Sequence, residues 1–257
     1  MLILLPPSEG KSRPRRGRAL DLGSLSFPGL TSCRERVLTA LETLCSRSPQ
    51  DAARILGLGP TQAHEIEGNT ALRTAPCAPA IRVYSGVLFD ALDYPSLTAA
   101  AQRRARARIA ISTGLWGLVR VTDRIPGYRL SGAVSLPDIG TLAGVWRGPV
   151  AAEIEASTGA IIDLRSSTYA ALGPIPEAAR SRAIVVRVLQ ERDGVRSIVS
   201  HMNKATKGRI LRAALESDST IRDASDLLDG LHDWGFAAKE VPRTSGPRQI
   251  DVIVTEL

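Results

Sequence analysis

The sequence predicts an α/β protein with one mixed sheet, and three observations carry that prediction. Short apolar runs, Leu2–Leu5, Ile109–Ser112 and Ala160–Leu164, each stop abruptly at a polar loop, as buried strands do. Between them lie stretches with apolar residues at helical spacing. Near the end, Ala183–Leu189 and Val195–Ser200 flank Asp193-Gly194, the signature of a β-hairpin. The runs do not alternate as a regular βαβ series. Neither repeats nor low-complexity linkers divide the 257 residues, so residues 1–257 are expected to form a single domain.

In chain order, Leu2–Leu5 is the first strand, closed by Pro6-Pro7, which cannot continue a ladder. Arg13 to Gly29 lacks periodicity and reads as a long loop, with Arg13, Arg15, Arg16 and Arg18 as a basic rim. From Ser32 the pattern turns helical; Val37, Leu38, Leu41 and Leu44 share a face, and Ser32 with Glu35 predicts a capping box. Residues 51–67 read as a helix-hairpin-helix-like unit: a helix to Leu56, a Gly57-Leu58-Gly59 turn, and a second helix opening with Pro60. Amides at the start of that second helix are a natural phosphate seat, so Gly57, Gly59 and Thr61 are the candidate DNA contacts. Glu65, just beyond the turn, repels phosphate.

Ile81–Tyr84 reads as a strand. Ser96 is expected to cap a helix whose Arg103, Arg104, Arg106 and Arg108 suit its C-terminal end. Thr141 to Thr158 and Thr220 to Leu231 read as helices, and the polar stretch from His201 to Arg209 is expected to lead into a helix through Leu215. Trp234–Val241 and Ile250–Thr255 read as a closing strand pair.

Composition narrows the function. The apolar fraction is 44% and aromatics are 4%, so Ala, Leu, Ile and Val must fill the core. The net charge of +7 favours anionic partners. Most of that charge is arginine spread along the chain, a weak signal by itself. Cys33, Cys45 and Cys77 show no C-x-x-C spacing, which points to a reducing, cytoplasmic compartment without a disulfide frame or zinc site. The sequence shows neither a membrane span nor a signal peptide, and neither a Walker loop nor a dinucleotide fingerprint supports a nucleotide cofactor.

Four apolar strands are expected to end in polar, anion-seeking loops: Ser8–Lys11, Thr113–Arg120 with Arg129, Arg165–Tyr169, and Ser200–Arg209. In one sheet these ends would meet at a concave, basic site, the place where open α/β sheets hold ligands. Ser8, Lys11, Arg120, Arg129, Arg165, Ser166, Lys204, Lys207 and Arg209 are the candidate ligand-binding residues. Of four lysines in the chain, three lie in these loops, as if a compact point charge were wanted there.

At these loops the chain resembles the YaaA family of peroxide stress response proteins. The resemblance rests on Leu4-Leu-Pro-Pro-Ser-Glu-Gly-Lys11, on Ser112-Thr-Gly-Leu-Trp-Gly-Leu-Val-Arg120 with Pro126-Gly-Tyr-Arg-Leu130, on Asp163-Leu-Arg-Ser-Ser-Thr-Tyr169, and on Ser200-His-Met-Asn-Lys-Ala-Thr-Lys-Gly208. It implies the α/β topology called a cantaloupe fold, with a helix-hairpin-helix and a positively charged cleft. It also implies a cytoplasmic role against hydrogen peroxide, linked to lowered free iron and to DNA. Where better-studied members carry phenylalanine, this chain has His201.

Three functions follow. The first is a stress protein binding DNA or another anionic ligand in the basic cleft. The second is an enzyme on a small anionic or nucleobase-containing substrate, because Glu9, Tyr128, Asp163 and Tyr169 stand among the cations as candidate acids and bases. The third is a haem or metal protein using His201. Oligomeric state is not legible in the sequence.

Overall fold

The computed structural model describes residues 1–192, 195–197, 200–217 and 219–255. Strand β1 (Leu2–Leu5) leads through two 3-10 turns, Leu22–Ser24 and Pro28–Leu30, into helices α1 (Thr31–Arg47), α2 (Pro49–Leu56) and α3 (Ala63–Thr70). A short strand β2 (Ala78–Pro79) precedes helices α4 (Ala80–Val83), α5 (Val87–Leu92) and α6 (Ala99–Arg108). Strands β3 (Ile109–Thr113), β4 (Gly117–Val119), β5 (Arg124–Ile125), β6 (Ser135–Leu136) and β7 (Gly140–Thr141) follow, then α7 (Leu142–Ala156). The chain continues with β8 (Ile161–Asp163), α8 (Ser167–Ala171), β9 (Ala183–Arg192), β10 (Val195–Ser197), α9 (Ser200–Glu216) and α10 (Ala224–Asp233). It closes with β11 (Ala237–Val241) and β12 (Arg248–Val254).

One mixed sheet runs in the order β11-β12-β9-β8-β1-β3-β4, with β10 paired to β9. Five central strands, β12, β9, β8, β1 and β3, are parallel; β11 and β4 run antiparallel at the edges. Strand β1 sits between β3 and β8, with Ile3 opposite Ile109 and Leu4 opposite Asp163. Its residues are wholly buried, as expected of a parallel strand covered on both faces. The parallel strands give the sheet two unlike edges: a carboxyl edge, where β1, β3 and β8 end, and an amino edge, where they begin.

The α/β class and the three core strands agree with the sequence reading; several local expectations do not. No capping box forms at Ser32, because the Pro28–Leu30 turn runs straight into α1 and Glu35 pairs with Arg73. Ile81–Tyr84 is not a strand. The Ala80 and Ile81 amides bond to the Asp123 and Val121 carbonyls (2.8 and 3.1 Å), which bends the chain into α4; only Tyr84 is extended, bridging Lys11. Thr98, not Ser96, caps α6, and Asp223 caps α10, which therefore starts at Ala224 rather than Thr220. The Asp193-Gly194 turn lies outside the described residues.

The largest correction concerns Thr113–Arg120. This segment is a hairpin rather than a loop at the carboxyl edge. Trp116 N–H donates to Thr113 Oγ1 (2.7 Å), Gly117 turns the chain at φ 68°, and β4 runs back along β3. A side chain at Gly117 would strike the Trp146 ring, so this position tolerates only glycine. Arg120 is thereby carried to the amino edge, away from Lys11.

Buried Arg34 on α1 ties that helix to the hairpin. Its guanidinium donates to the Trp116, Leu118 and Ser26 carbonyls at 3.0, 2.7 and 2.6 Å. Burial lowers its pKa to about 10, with Asp123 pulling the other way.

Candidate functional site

At the carboxyl edge the double proline turns the chain out of β1, and Gly10 is followed by Lys11, whose backbone bridges Tyr84. The Ser8 hydroxyl receives the Ser85 N–H (3.1 Å) and donates to the Gly10 carbonyl, which fixes the loop. Lys11 Nζ donates to the Ser8 and Glu9 carbonyls at 2.9 and 3.4 Å. It lies 4.5 Å from the centre of the Tyr128 ring and 5.8 Å from that of Tyr84, within cation–π range. Burial lowers its pKa from 10.5 to about 8. The Glu9 and Glu65 carboxylates pull it back up, and Arg129 adds to the lowering. At neutral pH Lys11 is a cation close to releasing its proton.

Beneath the ammonium the Tyr84 and Tyr128 hydroxyls meet at 2.9 Å, and both tyrosines are buried. Burial pushes both phenols well above their ordinary range, so they remain neutral. Tyr169 is raised for the same reason, and its hydroxyl accepts the Gly132 N–H (3.4 Å). These phenols are suited to donating a proton in a hydrogen bond, not to serving as anionic bases.

Arg129 Nη1 stands 3.2 Å from the exposed Glu9 carboxylate and 3.3 Å from the Glu9 carbonyl. Its backbone is held by Asn69 of α3, which is fully buried. Arg129 N–H donates to Asn69 Oδ1 (2.9 Å), and Asn69 Nδ2 donates to the Arg129 carbonyl (2.8 Å). Arg13 reaches from the loop after Lys11 to Glu65 on the same helix. The α2–α3 unit is thus attached to the Lys11 loop by its second helix. Gly57 ends α2 in the left-handed region, and Thr61 is exposed; Gly59 N–H is capped by Gln62.

Two other predicted residues are committed to each other. Arg165 Nε and Nη2 bond to the Asp163 carboxylate at 2.9 and 2.7 Å, while Nη1 donates to the Gly173 carbonyl (2.8 Å). Both side chains are buried. Lys207, also buried, donates to the Leu164 and Arg165 carbonyls (2.9 and 3.4 Å), and burial lowers its pKa to about 8 against the pull of Asp163. These three side chains knit the end of β8 to α9. With its oxygens filled by Arg165, Asp163 is poorly placed as a general base. Ser166 is exposed at the start of α8; Ser200–Arg209 is the first part of α9 rather than a loop, so Lys204 and Arg209 are exposed on a helix. The His201 side chain lies outside the described residues.

Arg120 does not join the carboxyl-edge group. Its Nη1 donates to the Ala107 and Ile109 carbonyls (both 3.1 Å) and its guanidinium covers the Phe27 ring. The sequence reading missed Tyr84 and Asn69. Tyr84 follows what looked like a strand, and nothing local marks Asn69 as a partner for Arg129.

Comparison with known proteins gives the family. A family model described as "Peroxide stress protein YaaA" matches residues 1–240. The chain belongs to this family. A UPF0246 protein of Streptomyces coelicolor is 46% identical over 261 residues, covering all of both chains. One of Corynebacterium efficiens is 44% identical over 89% of this chain and 91% of its own. Another, of Corynebacterium glutamicum, is 38% identical over 94% and 96%. Among the described residues, no helix of this YaaA-family protein is long and apolar enough to cross a membrane. Nor does any group of three His, Cys, Asp or Glu side chains gather there in a way that would hold a metal ion.

Proposed function

We propose that this YaaA-family protein acts in the cytoplasm in the hydrogen peroxide response by binding an anion, DNA phosphate first, at the Lys11 loop. The observation that carries the reading is the Lys11 ammonium itself. It is held over the Tyr128 ring with carbonyls as its hydrogen-bond partners, and Arg129 stands beside it. The exposed Arg15, Arg16 and Arg18 extend the basic surface around it, while the α2–α3 unit, attached through Arg13 and Asn69, adds Asp51, Glu65 and Glu67 against Arg54 alone. Binding of DNA would limit iron-linked oxidative damage by shielding the strand. Fluorescence anisotropy of labelled duplex and single-stranded oligonucleotides across a salt series tests the reading. Affinity that falls steeply with salt, and falls further in Lys11→Ala, supports it; a salt-independent response ends it.

A second reading, an enzyme on a small anionic or nucleobase-containing substrate, is favoured by the pKa of Lys11 near 8. An amine that shares its proton near neutral pH beside neutral phenols can take a proton or attack a carbonyl carbon. Native mass spectrometry of the purified protein, searching for a co-purifying small molecule lost in Lys11→Ala, discriminates the two.

A further inference from the structure

The amino edge carries a cluster of cations that the carboxyl-edge site does not use. A cavity of about 350 Å³ opens there, lined by Met1, Arg108, Gly159, Arg182, Thr220 and Arg222 among others, and no described residue of its lining carries a carboxylate. The volume falls in the range of small-molecule sites, about 300–1,000 Å³. Arg182 is fixed in place because its guanidinium closes the end of α7, donating to the Gly159 and Glu155 carbonyls at 2.8 and 2.9 Å. Arg222 at the rim is shared with Asp226 (2.9 Å). Arg108 differs from both: its Nη1 is shielded from solvent and has no acceptor among the described residues. Such a donor, shielded and unmatched among the described residues, leaves room for an acceptor supplied by a ligand.

The electrostatics agree with the geometry. Burial lowers the pKa of the Met1 ammonium, and Arg108, Arg120 and Arg182 lower it further, so several positive groups converge on one point. Guanidinium forks match phosphate oxygens two at a time. Among the described residues the hollow is lined by arginine and by no acidic side chain, so it is not built for a cation, and its charge makes it unsuited to an apolar guest.

We propose that this amino-edge cavity is a second anion site, which takes the phosphate end of a small phosphorylated molecule between Arg108, Arg182 and Arg222. It lies across the sheet from Lys11 and is independent of DNA binding there.

Isothermal titration of the full chain with inorganic phosphate, pyrophosphate and AMP, each used separately, tests the site. Saturable binding at one equivalent, weakened about tenfold or more by Arg108→Gln and to a lesser degree by Arg222→Gln, is the expected result. Binding of pyrophosphate and AMP alike identifies the phosphate as the recognised part; binding of AMP alone adds an organic moiety to the ligand. Arg248→Gln, which removes one exposed charge paired to Glu240 elsewhere on the sheet, is expected to bind as the unaltered chain does. Three outcomes overturn the proposal: no saturable binding of any probe, binding untouched in both Arg108→Gln and Arg222→Gln, or equal loss in Arg248→Gln. Arg222 is exposed, so its variant keeps the test valid if Arg108→Gln fails to fold.

Discussion

The two edges of the sheet spend the same residue types on different partners. At the carboxyl edge most cations are spent on the protein: Arg165 on Asp163, Lys207 on the carbonyls after β8, Arg129 on Glu9. At the amino edge Arg182 is spent on carbonyls and Arg222 on Asp226, but the hollow they line shows no carboxylate among the described residues, and one Arg108 nitrogen has no acceptor there. A count of positive residues near a strand end therefore says little about ligand binding until each charge is followed to its partner. At the carboxyl edge Lys11 remains the group whose partners are weakest.

Breaking the carboxyl-edge pair should be the most damaging change. Arg165→Met strands the Asp163 carboxylate in the core and is expected to cost about 3–5 kcal/mol in chemical denaturation. A loss near zero would mean that the pair is solvated and the contrast between the edges false. Asn69→Ala comes next. It leaves the Arg129 N–H and carbonyl without their partners, at about 1–3 kcal/mol, and should also weaken binding at the Lys11 loop. Unchanged binding alongside lost stability would detach α3 from the site.

Titration of Lys207 should be milder. Its folded pKa of about 8 lies below the ordinary 10.5, so between those values the unfolded chain holds the proton that the folded one has released. Stability contributed by this group therefore rises with pH across that window, on the order of 1 kcal/mol per pH unit. Urea midpoints at pH 8 and 10, compared between the unaltered chain and Lys207→Met, read the difference; parallel curves would argue against a perturbed amine. The smallest effect belongs to the amino edge. Arg222→Gln should leave the melting temperature where it was, because that side chain is largely exposed. A marked drop would show Arg222 to be structural and would remove it from the anion site.

The α/β class, the core strands and the Ser8–Lys11 loop could be read because each leaves a local mark: a four-residue apolar run, a double proline, a lysine in an arginine-rich chain. Arg120 could not be placed in this way. Its position depends on whether Gly114–Trp116 is an open loop or a reversal, and that is decided by Gly117 fitting against Trp146 far along the chain. Asn69 was hidden for a similar reason, since its amide serves a backbone sixty residues away. The pairing of Asp163 was hidden as well, because its neighbour two positions on, Arg165, folds back onto it, a matter of rotamer rather than of composition. Residue types announce charge; only tertiary contacts decide where it is consumed.

The placement of β1 has a consequence for biosynthesis. Its neighbours pair through Ile109 on one side and Asp163 on the other, so this greasy segment waits unpaired until β3 is made and stays open along one edge until well over half of the polypeptide is complete. Long-range parallel pairing is slow, and an uncovered apolar segment is prone to aggregate in the meantime. During translation the chain should therefore depend on a chaperone until β8 emerges, and truncations that stop short of it should accumulate as insoluble protein.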